Sequence, residues 1–258
     1  MSNESRAPQN SLNSSEQAPY TAAFFDDIRS GSRRSAEIVV PIVMQLVNPN
    51  SVVDVGCGDG TWLSIFQRAG ATEIFGMDGN YVDQERLQIP RQCFRATDLS
   101  APFELSRTFD LATSLEVAEH LPAASAGTFV SSLVRLAPVV LFSAAIPRQG
   151  GTHHINEQWP GYWCGLFKRH EYVPIDCIRK QIWSNDDVEW WYAQNILLFV
   201  SKQHLQESSI FRSEYDRNPP EPLALVHPKR FMQNYEVGVL GAFRLLVQTS
   251  IKAIRRRF

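Results

Sequence analysis

The sequence predicts an α/β fold, a doubly wound sheet with helices on both faces, and three observations carry that prediction. The β-branched residues Val52, Val53 and Val55 make a short run suited to a buried parallel strand, and Gly56, Gly58 and Gly60 follow at alternate positions. Thr61 to Ala69 then reads as a helix, with Trp62, Ile65, Phe66 and Ala69 on one face and Gly70 as its stop. Beyond this strand, turn and helix, apolar strand-like stretches alternate with helical ones as far as Lys202.

Residues 1–19, rich in Ser, Asn and Gln, read as a disordered tail without the basic and apolar regions of a signal peptide. Residues 20–50 read as a helical cover. An aromatic segment from Tyr20 to Asp27 precedes Gly31 and an N-cap at Ser32, and Ala36, Val39, Val40, Val43 and Val47 then follow helical spacing, with Pro41 as a kink or restart. Packing on the sheet is its plain role, and a lid built from Tyr20, Phe24 or Phe25 is its functional alternative.

Further strands are expected at Thr72–Asp78, Cys93–Leu99, Phe109–Ser114, Val139–Ala145, Val173–Arg179 and Asn195–Ser201, with helices at Ser125–Leu136 and Trp159–Glu171. Trp183, Trp190, Trp191 and Tyr192 fall between the last two strands and are expected to pack at the sheet edge. Residues 203–230 read as a polar, proline-rich linker. Residues 231–258 read as an amphipathic helix ending in Arg255, Arg256 and Arg257, suited to compensating its own dipole or to a peripheral membrane contact.

At 258 residues the chain has room for one sizeable domain with appendages. A net charge of -2 excludes a global pull toward nucleic acid or anionic membrane. Cys57, Cys93, Cys164 and Cys177 are scattered without a Cys-x-x-Cys pair, which fits a reducing cytoplasm better than a disulfide framework or zinc knuckle. No apolar stretch is long enough to span a bilayer, and self-association is left open.

The glycine spacing separates two classes of ligand. A dinucleotide fingerprint needs Gly-x-Gly-x-x-Gly, but Thr61 stands where its third glycine belongs. Asp54 would sit poorly beside a diphosphate and suits a ligand bearing an ammonium group. Asp78 ends the second strand about 20 residues after the glycine turn, where a carboxylate can accept hydrogen bonds from both ribose hydroxyls.

Asp54-x-Gly56-x-Gly58-x-Gly60 resembles the first motif of class I S-adenosyl-L-methionine (SAM) dependent methyltransferases. Phe109-Asp110-Leu111 running into Glu116-Val117-Ala118-Glu119-His120-Leu121 resembles their fourth. The resemblance covers Val52 to Lys202. It implies a Rossmann-like, seven-stranded sheet with an antiparallel last strand and SAM as cofactor. It further implies that Asp54, Gly56, Cys57, Gly58, Gly60, Asp78 and Gly79 bind the donor, that Asp98 and Leu99 hold its adenine, and that Leu115 and Glu116 line its methionine part.

The passage after the fifth strand, Pro147 to Trp163, borders the same crevice as the glycine turn and carries His153 and His154 beside Asn156 and Glu157. SAM's methyl is already activated, so for a hydroxyl acceptor the remaining task is proton removal. His153 and His154 are the candidate bases, with His120 behind them. Glu116, Glu119 and His120 resemble the metal-binding cluster of ubiquinone-biosynthesis O-methyltransferases. In a helix, however, Glu119 would turn away from His120, and the expected reading is no metal.

The expected function is therefore methyl transfer to a small-molecule acceptor, a hydroxyl of a saccharide or secondary metabolite. The alternatives are methylation of a small amine, a nicotinamide-dependent oxidoreductase, and a SAM-binding protein without catalysis.

Overall fold

The computed structural model describes residues 22–218 and 223–233, with side chains from Ser30 onward. β1 (Ser51–Val55) pairs in parallel with β2 (Glu73–Asp78) on one side and β4 (Leu111–Leu115) on the other. β3 (Phe94–Ala96) extends the sheet beyond β2, and β5 (Val139–Ser143) extends it beyond β4, both in parallel. β7 (Leu197–Ser201) lies antiparallel between β5 and β6 (Tyr172–Ile175), which gives seven strands in the order β3-β2-β1-β4-β5-β7-β6. The expected Rossmann-like sheet with an antiparallel last strand is the observed one.

Sequence order reverses between β1 and β4, so connections leave toward opposite edges and a crevice opens at the carboxyl ends of those two strands. Alternation along β1 distributes its side chains between two cores. Val52 packs with Val39 and Val43 of α1 (Ala22–Val47) and with Leu63 and Phe66 of α2 (Thr61–Arg68). Val53 and Val55 pack on the other face with Phe129 and Leu133 of α3 (Ala126–Leu136) and Phe167 of α4 (Pro160–Lys168). The same period turns Asp54 toward the α1 and α2 side.

Four sequence expectations change. α1 runs unbroken through Gly31, Ser32 and Pro41. Ser32 is therefore no cap; its hydroxyl accepts a 2.9 Å hydrogen bond from the Trp62 indole of α2. Pro41 is exposed, away from the buried Val39, Val40 and Val43 stripe, where a missing amide bond is least costly. The lid expected of Tyr20, Phe24 and Phe25 lies outside the described side chains.

β6 stops at Ile175, and Arg179 opens a short helix, α5 (Arg179–Ile182), as a fully buried cation. Two bonds to the Asp176 carboxylate, at 2.8 and 2.6 Å, offset its desolvation. Its remaining nitrogen donates to the carbonyls of Leu223 and of Gln194, which lies in α6 (Trp190–Asn195).

Residues read as linker fold into α7 (Lys202–Glu207) and α8 (Ser209–Arg217). The hydroxyls of Ser201 and Ser208 accept from the backbone amides of His204 and Phe211 and so cap both helices. The C-terminal helix expected over residues 231–258 is described only in α9 (Pro228–Gln233), and the rest lies outside the described residues. Among the described residues, no helix is long and apolar enough to cross a membrane.

Candidate active site

The glycine turn is fixed by its backbone to the neighbouring strand. Gly56 and Cys57 donate their amides to the Met77 carbonyl at 2.7 and 3.2 Å, and Gly58 donates to the Asp78 carboxylate at 2.7 Å. Gly56 has φ +89°, and a Cβ there would stand 2.2 Å from Val117, so only glycine fits. Gly58 has φ +55° with open space in front of it. Gly60 starts α2 and faces Ile89, so it shapes the turn without lining the crevice.

Two cavities meet at this turn, and both are lined by Gly56 and Tyr81. The first, about 680 Å³, is lined by Asp78, Gly79, Asp98, Leu99, Glu116 and His120 among others. The second, about 600 Å³, reaches Ser32, Asp54, Cys57, Trp62, Leu115 and Tyr192. Most of the residues expected to bind a donor thus line one or other of two adjoining cavities.

Asp54 is buried and accepts a 2.6 Å hydrogen bond from Thr113, its register partner on β4. Burial pushes its pKa up to about 7; the Thr113 bond opposes that rise and the Asp78 charge adds to it. The Cys57 thiol is raised by burial and then by the Asp54 and Asp78 charges, so it stays protonated. Asp78 accepts from Gly58, from Gly79 at 2.6 Å and from the Tyr81 hydroxyl at 2.5 Å. Asp98 lies beyond the short β3 in a turn, where the amide and hydroxyl of Ser100 bond to its carboxylate at 2.9 and 2.6 Å and lower its pKa.

The segment after β4 is not a helix in which Glu119 would turn away from His120. Glu116 adopts φ +56°, and Ala118–His120 is a single 3-10 turn, so helical face arithmetic does not apply. The loop after β5 folds back onto it: the amides of Ile155 and Asn156 both donate to the Glu119 carbonyl, at 2.9 and 3.0 Å. That brings the His154 ring edge-on to His120, with centroids 4.9 Å apart. A Cβ on Gly151 would stand 2.3 Å from the His154 ring, so the loop passes the ring at a glycine.

Of the two loop histidines, His154 turns inward and His153 outward. His153 has φ +57° and an exposed side chain, while its main chain hydrogen-bonds the His120 ring. His154 Nδ1 lies 3.2 Å from Glu157, whose carboxylate also accepts from the amides of Arg148 and Gly150 at 2.6 and 2.7 Å. His120, which the sequence reading set behind the other two, is the histidine that lines the cavity. Desolvation on its packed side, then the neighbouring His154, lower its pKa, so its neutral form is favoured.

One ligand atom each from Glu119, His120 and His154 lies within 4.8 Å of the others, a different set from the Glu116, Glu119 and His120 read in sequence. Glu119 is fully buried, and among the described residues no side-chain nitrogen reaches its carboxylate oxygens. Burial, then the charge of Glu116, hold its pKa well above the usual carboxylate range. Glu116 is raised by burial too, against the opposing bonds of Asn195, Ser143 and Gln149. Sequence reasoning missed Thr113, Tyr81, Gln149, Gln194 and Asn195. Thr113 had a signal, its position opposite Asp54 in a parallel pair, whereas the amides carry no local pattern.

The crevice lies at the topological switch point of the sheet, between β1 and β4. Residues 28–195 match the family described as a methyltransferase domain, well over half of the chain, and the chain belongs to that family. It is a SAM-dependent methyltransferase, with SAM as cofactor. Similar solved structures include magnesium protoporphyrin IX methyltransferase (ChlM) from Synechocystis PCC 6803 with bound SAH, at 19% identity over 72% of this chain and 90% of that one, TM-score 0.51. The sugar N-methyltransferase KedS8 from Streptoalloteichus sp ATCC 53650 shares 13% identity over 78% and 98%, TM-score 0.53. Streptomyces venezuelae DesVI shares 13% over 69% and 95%, TM-score 0.52. At these identities the likeness is one of fold. No curated protein matches the chain.

Proposed function

We propose that the enzyme methylates a hydroxyl of a small-molecule acceptor, with His120 as general base and His154 and Glu157 behind it. The observation that carries this reading is the neutral-favouring His120 at the wall of the first cavity, backed by the His154 ring and the Glu157 carboxylate. SAM supplies a methyl already activated on a sulfonium. The protein's residues then have to bind, orient and deprotonate.

Asp78, at the end of β2, is placed to accept from the ribose, while Asp98 and Leu99 flank the adenine. Asp54 faces the second cavity and meets the donor's ammonium. Residues 51–202 form the catalytic domain in this reading. The net charge of -2 favours a small acceptor over nucleic acid, and four free cysteines suit the cytoplasm.

The Asp54 contact makes donor binding pH-dependent. Below about 7 Asp54 holds a proton that the incoming ammonium must displace, so affinity should tighten as pH rises toward neutrality, by up to about tenfold per pH unit. It should level off above that pKa, until the donor's own amine loses its proton. Titration calorimetry from acidic to neutral pH checks this. Asp54→Asn should flatten the profile, and an unchanged slope in that variant would remove Asp54 from the contact.

One observation favours a second reading, methyl transfer assisted by a divalent cation. The buried Glu119 carboxylate, which no side-chain nitrogen reaches among the described residues, together with His120 and His154 offers a mixed oxygen and nitrogen ligand set. Such an ion would lower the pKa of an acceptor hydroxyl in place of a histidine base.

A panel of hydroxylated and amino acceptors, followed by SAH release with Mg²⁺ and with EDTA, tests both readings. Turnover of hydroxyl acceptors that survives EDTA supports the histidine base. Loss in EDTA restored by metal supports the cation, and turnover of amines alone contradicts both.

A further inference from the structure

Glu116 is an acid that the reaction above does not use. Glu116 and Gly56 both line the first cavity, and no Lys, Arg or His ion pair reaches the Glu116 carboxylate among the described residues. Three amide contacts hold it instead, beside the Ser143 hydroxyl and the Glu119 carboxyl. Asn195 Nδ2 donates to both oxygens at 3.0 and 3.2 Å, and Gln149 Nε2 donates to one at 3.0 Å.

The direction of these bonds is fixed from outside the cavity. The Ile146 amide donates to Gln149 Oε1 at 3.2 Å, so the amide nitrogen of Gln149 must face Glu116. The His227 amide donates to Gln194 Oε1 at 2.8 Å, so Gln194 Nε2 must face Gln149 and Asn195, at 3.0 Å from each acceptor. Asn195 Oδ1 thereby accepts, and its nitrogen is turned to Glu116. A backbone N–H cannot accept a hydrogen bond, so two of them at the far ends orient every amide in the relay. Gln149, Gln194 and Asn195 are each more than nine-tenths buried. Burial raises the Glu116 pKa, and the donors converging on both oxygens, with the Glu119 carboxyl beside them, oppose that rise.

The position of that acid follows from the two cavities. The nucleoside half of the donor belongs with Asp78, Asp98 and Leu99, and the amino-acid half with Asp54. The sulfonium joins the two halves, so it lies where the cavities meet. Gly56 lines both, Leu115 lines the second, and Glu116 lines the first. The Leu115–Glu116 step therefore passes the sulfur.

We propose that Glu116 recognises the positive charge of the sulfonium, so that the enzyme prefers SAM to its own neutral product S-adenosylhomocysteine (SAH), with Asn195 and Gln149 as positioning residues. The inference rests on the donor spanning both cavities. SAM and SAH share their adenosine, ammonium and carboxylate groups and differ in the methyl and the charge at sulfur. Everything Asp54 and Asp78 contribute cancels in the comparison. Release of SAH after transfer then follows from loss of the charge Glu116 was holding.

The test is calorimetric titration of the full chain with SAM, SAH and sinefungin, which carries an amine in place of the sulfonium methyl. Wild type should bind SAM and sinefungin at least about tenfold tighter than SAH. Glu116→Gln, of nearly the same shape, should bring all three within about twofold by weakening the charged pair while SAH holds. Gln149→Leu and Asn195→Leu, which leave the carboxylate in place but unaimed, should give intermediate preferences. Equal wild-type affinity for SAM and SAH overturns the proposal, as does a preference that survives Glu116→Gln or an equal loss of all three ligands in that variant. Failure of wild type to bind any of the three sinks the donor site itself, and the proposal with it.

Discussion

Gly58→Arg should abolish donor binding, weakening SAM by at least about a thousandfold, or about 4 kcal/mol, while the protein stays folded. Gly58 sits at φ +55° with nothing within 4 Å of the position a Cβ would take. A side chain there meets no core atom, and the backbone conformation itself costs about 1–2 kcal/mol in a non-glycine residue. The open space it would fill is the second cavity, beside Asp54 and Cys57. The measurement is a SAM titration paired with a thermal melt. A folded variant that still bound SAM with wild-type affinity would mean that the cavity is not the donor site. Gly56 makes a poor test of the same idea, because its missing Cβ is replaced by Val117 and any substitution would disturb the turn.

His120→Ala should lower turnover of a hydroxyl acceptor by about 10² to 10⁴-fold, with the donor's Kd moving much less. The expectation follows from His120 lining the cavity while its lowered pKa keeps it able to accept a proton. His154→Ala should fall less far, since His154 acts through the His120 ring, and His153→Ala should barely change the rate because its side chain points outward. Initial rates at saturating SAM give this ordering directly. A rate that fell most for His153→Ala would mean the loop adopts another arrangement during turnover. An amine acceptor, delivered neutral, would need no base and would leave His120→Ala active.

The parts of the site legible in the sequence are those made by residues close in the chain. A glycine turn between a strand and a helix is a local matter of φ and of space, and Asp54 and Asp78 are fixed to strand ends by the same local pattern. The histidines were legible as chemistry and not as geometry. Whether His153 or His154 faces inward depends on a loop that turns at Gly151 and binds the Glu119 carbonyl through Ile155 and Asn156, a contact between residues far apart in the chain. Helical faces could not order Glu116 to His120 for a reason of the same origin, because the chain leaves β4 through a left-handed Glu116 that only its buried surroundings can hold.

Residues 203–217 read as linker for a different reason. The Ser201 and Ser208 caps are visible in the sequence, but the prolines that follow dominate its composition. The relay from His227 through Gln194 to Glu116 could not have been read at all, since amides show no periodicity and their partners lie up to 79 residues away.

Solving the crystal structure with bound SAH tests the central claim most directly. The account predicts the ribose hydroxyls on Asp78, the adenine between Asp98 and Leu99, the ammonium on Asp54 and the sulfur beside Gly56 and Glu116. SAH lodged elsewhere, or lying across the glycine turn with its amino-acid end away from Asp54, would contradict it.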